Sequence, residues 1–171
     1  LIVNVSMDDL TRLDGLITDW LMSDAAPVQL GVSLLNHQWT ARVAFAGRHT
    51  GCMTQLHSLE TLLDVDSHLH IAGSGSLSFQ RDQQERNLAR SWRRVVSALV
   101  KIIVPPAVTG ATCAALARWA DTAGVPLHID ALPVHGVIFA GGQLNDRDAR
   151  RLDQSVMQLI VESQGLRVWQ S

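Results

Sequence analysis

The chain has no tyrosine, three phenylalanines, two cysteines and five prolines among its 171 residues. So few aromatic rings argue against a sheet that stacks nucleic-acid bases, and nucleic acid is not expected as a partner. The two cysteines, Cys52 and Cys113, each fall inside an apolar helical pattern. They exclude a disulfide framework and read as small buried hydrophobes in a reducing compartment, so a cytoplasmic setting is the expectation. Charge of one sign is also lacking: fourteen basic residues against sixteen acidic ones leave a formal net charge of -2. No field draws such a chain to phosphate backbones or anionic lipid. No window reaches the ~18 uncharged apolar residues of a membrane span, and no basic segment precedes a short apolar run. An initial methionine is missing as well, and "LIVNVS" already reads as a strand, which points to a piece of a longer protein.

What is present is a hydrophobic content of 47%, enough to bury a real core. "LIVNVS" is rich in β-branched residues, and Ser6 with Asp9 resembles a capping box opening a helix. Leu10, Leu13, Ile17, Trp20 and Leu21 share one face of that helix, which the pattern ends near Ser23, before Pro27. "VQLGVSLL" and "TARVAFAG" predict two strands of a hairpin turning at Asn36 and His37. Met53, Leu56, Leu59 and Leu63 mark a second helix, and "HLHIAG" a short strand.

The second half runs through the same order. "ALVKIIVPP" predicts a strand, and Cys113, Leu116 and Trp119 or Ala120 a helix stopped by Gly124. "PLHIDALP" and "HGVIFAGG" are two more strands. Asn145 or Asp146 caps a helix carrying Leu152, Val156, Leu159 and Ile160, and Gly165 ends it before "LRVW". Trp20 and Pro27 have counterparts in Trp119 and Pro126, and "VAFAGR" echoes "VIFAGG". The expected fold is therefore α+β: two fused ferredoxin-like (βαββαβ) units forming an antiparallel sheet with helices packed on one face. Residues 1–72 form the first repeat, 73–98 a polar connector and 99–171 the second repeat of a single domain.

Few motifs carry chemistry on their own. Asp64, Asp66, His68 and His70 alternate, so His68 and His70 share a strand face, but no third ligand stands at metal-site spacing and no metal is expected. "GSGS" at Gly73 to Ser76 opens no helix and completes no phosphate-binding fingerprint. Ser6, Ser33, Ser78 and Ser97 lack a nucleophile elbow, and neither cysteine has a basic neighbourhood to activate it. His128 and His135 flank "IDALPV" near a hairpin end, where a histidine can shuttle a proton or hydrogen-bond a substrate. Lys101 is a lone charge inside "LVKIIV", either snorkelling from an edge strand or pointing into a pocket shared with another domain.

The order of elements resembles the C-terminal, or cap, domain of FAD-linked oxidases of the vanillyl-alcohol oxidase type, nearest in look to the FAD-binding subunit of glycolate oxidase. The stretches that carry the resemblance are "LMSDAAPVQL", "ARVAFAGRHTGCMTQLHSLETLL", "SWRRVVSALVKIIVPP" and "VHGVIFAGG", and the likeness spans essentially the whole chain. Between Arg94 and Leu99 the chain is shorter than the family pattern. The resemblance implies a substrate domain that packs over the flavin ring of FAD, the cofactor itself being held mainly by an N-terminal FAD-binding domain that this chain does not contain. It implies oxidation of a small 2-hydroxy acid by hydride transfer to flavin, with other oxidase subunits as partners and an isolated fragment that is inactive. It also implies a cationic or hydrogen-bonding group for the substrate carboxylate, with His135 first and Arg93 and Lys101 next. The alternative is a non-enzymatic duplicated ferredoxin-like module that binds a small ligand or dimerises.

Overall fold

The computed structural model describes residues 1–7, 13–23, 27–35, 38–62, 68–73, 96–163 and 165–170. The first half contains β1 (Ile2–Met7), α1 (Leu13–Met22), β2 (Gln29–Leu35), β3 (Gln38–Ala44), α2 (His49–Leu62) and β4 (His68–Gly73). The second contains β5 (Ala98–Ile103), a 3-10 turn at Pro106–Val108, α3 (Thr109–Ala123), β6 (His128–Leu132), a second 3-10 turn at Pro133–His135, β7 (Val137–Gly142), α4 (Asp146–Ser163) and β8 (Leu166–Gln170). Strand, helix, strand, strand, helix, strand thus succeed one another twice, in an α+β protein.

All the strands join one antiparallel sheet in the order β4-β1-β3-β2-β6-β7-β5-β8. Written by position within each half, that order is 4-1-3-2 followed by its mirror, 2-3-1-4. The halves meet at a short seam in which Val32, Ser33 and Leu34 of β2 stand opposite Ala131, Asp130 and Ile129 of β6.

Alternation along the strands decides which face meets the helices. Val3 and Val5 of β1, Ala41 and Val43 of β3, Val100 and Ile102 of β5 and Ile129 and Ala131 of β6 are buried in one core with Trp20, Leu56, Leu116, Leu152 and Val156 of the four described helices. Their neighbours in sequence point to the other face. There a smaller cluster gathers Leu99, Leu132, Val137 and Phe139, with Val96 packed against it and no helix residue in it.

The helix ends follow the local chemistry. Asn145 caps α4: its Oδ1 accepts the Asp148 backbone N–H at 2.9 Å, and its amide donates to the Asp148 carboxylate at 2.8 Å. The first bond satisfies a backbone donor that the first turn leaves open, and the second holds the two side chains together. Replacing Asn145 with alanine should remove about 1 kcal/mol. Thermal unfolding followed by circular dichroism should then show a midpoint roughly 2–4 °C lower. Gly124 ends α3 in the left-handed conformation, φ 65°, with its N–H turned back to the carbonyls of Ala120 and Asp121.

Three expectations shift. In α2 the core face is Cys52, Leu56 and Leu59, whereas Met53 is 40% exposed. His135 belongs to a 3-10 turn and not to the strand that follows it. Finally, β5 is no edge strand, because β7 and β8 pair with its two sides, so Lys101 does not snorkel from a sheet edge. Arg93 and the connector residues 74–95 lie outside the described residues.

Candidate functional site

On the face away from the helices, the ladder registers line up one residue from each strand. Ser6 stands opposite His68 and Thr40, Thr40 opposite Ser33, Ser33 opposite Asp130, Asp130 opposite Phe139, and Phe139 opposite Lys101. The row is polar across the first half and the seam, then meets a buried ring and a cation. The Lys101 ammonium lies over the Phe139 ring, 5.8 Å from its centroid, at the outer limit of a cation–π contact. One step along the strands, Asn4 stands opposite Arg42 and Arg42 opposite Gly31, so the exposed Arg42 guanidinium rises from a surface of small residues.

His135 is held at one end of this sheet. It closes the Pro133–His135 turn between β6 and β7, half-buried, and is followed by Gly136 in the left-handed region at φ 63°. The Gly136 carbonyl accepts the Val104 N–H at 2.8 Å, which ties the turn to the end of β5. Lys101 lies in register with Phe139, four residues beyond His135, so the two are separated by roughly 13 Å along the strands. The structure therefore places His135 and Lys101 on the same half-sheet without bringing them into contact.

His128, at the opposite end of β6 from His135, lines a small cleft at the seam together with Leu34, Ala120, Asp121 and Val125–Leu127. Its volume of about 150 Å³ is below the range of pockets that enclose drug-sized ligands, and far below what a dinucleotide cofactor requires. Among the described residues no group of three or more His, Cys, Asp or Glu side chains could hold a metal ion, and no helix is long and apolar enough to cross a membrane.

Ser97 has a structural job. Its hydroxyl donates to the Leu144 carbonyl at 2.9 Å and accepts the Leu144 N–H at 2.8 Å, clasping the start of β5 to the β7–α4 connection. Cys52 and Cys113 are buried free thiols. The row residues Thr40 and Asp130, and Arg42 one step away, were not singled out by sequence reasoning. Strand alternation puts Thr40 and Arg42 on the face away from the core, but only the β2–β6 pairing sets them beside Asp130 and the second half. No family model matches the chain, and no curated protein compared with it matches.

Proposed function

We propose that the chain is the C-terminal cap domain of an FAD-dependent oxidoreductase, glycolate-oxidase-like, built from two fused ferredoxin-like units. In this reading a preceding FAD-binding domain carries the cofactor, and the sheet face described above closes over it. The observation that carries the proposal is the polar character of that face, whose apolar end at Leu99, Leu132, Val137 and Phe139 is already buried. The face bears hydrogen-bonding residues at Ser6, Ser33, Thr40 and Asp130 and cations at Arg42 and Lys101.

The flavin, when bound, accepts the hydride from a 2-hydroxy acid. This chain's task is to bind and orient the acid and to exclude water from it. His135, fixed by the turn at the sheet end, is assigned to the substrate carboxylate. Lys101 supplies positive charge further along the face, and Arg93 remains a candidate for the same role. On this reading the fragment alone is inactive and works in the cytoplasm with its flavin domain and other oxidase subunits.

Loss of a charge-assisted hydrogen bond of about 1.5–3 kcal/mol corresponds to a tenfold to hundredfold effect. In the protein made from the whole reading frame, His135→Ala should slow flavin reduction by substrate by that factor while leaving the flavin spectrum unaltered. Unchanged reduction kinetics in stopped flow would remove His135 from the site. The seam cleft favours a second reading, a duplicated module that binds a small ligand beside His128 and needs no flavin; His128→Ala would then abolish ligand binding, and no flavin would be found.

A further inference from the structure

Helix α4 is the last described helix over the second half, in contact with α3, β5 and β8. Its inner face is buried through Leu152 and Val156, and its outer face carries Arg147, Arg150, Gln154, Met157 and Val161 at alternating spacings of three and four residues. Met157 is 46% exposed and Val161 77% exposed.

The first turn of the helix carries the acids Asp146 and Asp148, but the outer face itself has its cations toward this end. A helix favours acids at its N-terminus and bases at its C-terminus. Here Asp148 holds Arg151 at 3.4 Å, but Arg147 and Arg150 make no ion pair among the described residues. At the other pole the last turn has no basic residue and carries Glu162, whose carboxylate accepts a hydrogen bond from Gln158 at 3.2 Å. Outer-face cations toward one end and Glu162 at the other are complementary for two helices running antiparallel.

We infer that α4 is the interface of a two-fold dimer of this chain, pairing with the same helix of a second copy about an axis near Gln154. In that register Arg147 of each copy lies beside Val161 of the other, next to its Glu162 and the negative end of its dipole. The aliphatic stems of Arg147 and Arg150 cover the partner's Val161 and Met157 while their guanidinium groups reach the partner's last turn. Such a contact is isologous, since the same patch serves both subunits. An 18-residue helix is about 27 Å long. One helix pair therefore sits at the lower end of specific interface sizes, and the dimer is weak and reversible. The inference is independent of the flavin reading.

Sedimentation velocity on the full chain, from about 10 to 500 μM, tests it. The expected result is a sedimentation coefficient that rises with concentration, and less so at high salt, because exposed charge pairs are screened. Val161→Glu should weaken association at least about tenfold, equivalent to about 1.4 kcal/mol. Arg147→Glu with Arg150→Glu should do the same, and adding Glu162→Arg to that pair should restore it. All these sites are exposed, so far-UV circular dichroism and the thermal midpoint should stay at wild-type values. A chain that remains monomeric throughout would overturn the inference. So would association that Val161→Glu leaves intact, which would have to pass through another surface.

Discussion

Replacing Gly136 with alanine is expected to destabilise the protein by at least about 2–3 kcal/mol, among the largest effects of any single methyl group in the chain. Two terms combine. At φ 63° a side chain sits in the left-handed region, which costs about 1–2 kcal/mol. A Cβ at this position also runs into the Val104 carbonyl oxygen, a backbone atom that cannot swing aside. Relief requires the turn to shift and stretch the Val104 N–H to Gly136 carbonyl bond of 2.8 Å, worth about 1 kcal/mol more. At roughly 2–4 °C per kcal/mol for a chain of this size, the midpoint should fall by at least about 4–12 °C. The control is Gly15→Ala in α1, where an added Cβ meets nothing within 4 Å. There the helix should gain about 0.5–1 kcal/mol, because alanine holds a helix better than glycine. Equal stability of Gly136→Ala and the wild type would show that the β6–β7 turn is not built as described.

The second large effect is at Trp20. It is fully buried between α1 and the sheet, at 0% exposure, and Trp20→Ala should cost about 3–5 kcal/mol through lost burial and the cavity left behind. The same residue contains an oddity that sharpens the test. Its indole Nε1 is buried with no hydrogen-bond partner among the described residues. Trp20→Phe removes that unmatched donor along with some volume, so the two changes offset and the loss should stay under about 1.5 kcal/mol. Denaturant unfolding of the two variants checks this. A Phe variant as damaged as the Ala variant would mean that the indole N–H is bonded after all. Trp119, the corresponding residue of the second half, is only partly buried, and its removal should cost less.

Much of the fold is legible in short stretches of sequence, because periodicity is a local property. Val3 and Val5 alternate with Asn4 and Ser6; Leu152 and Val156 repeat at helical spacing; Asn145 and Gly124 mark helix ends by their own chemistry. Each of these needs only its near neighbours to be read. Errors arise where the deciding partner is distant. Met53 and Cys52 are adjacent and both apolar, and only the packing of α2 into the common core decides that Cys52 turns inward. A charge inside "LVKIIV" reads as an edge residue or as one facing another domain, because it is hard to place in a central strand. The sheet accommodates it by directing it to the face without described helices, over Phe139.

The candidate site was less legible for the same reason. The row from Ser6 to Lys101 draws on β1, β3, β2, β6, β7 and β5, which are far apart in the chain. Its continuity depends on the β2–β6 seam, three residue pairs long, which no local pattern announces. His135 was visible as a histidine before a glycine. That it closes a turn clamped to Val104 is a tertiary fact.

The measurement that bears most directly on the functional reading is a visible absorption spectrum of the protein expressed from its whole reading frame. The account predicts flavin absorption that a 2-hydroxy acid bleaches under anaerobic conditions. A colourless protein that added FAD does not restore would contradict the cap-domain reading and leave a flavin-free binding module in its place.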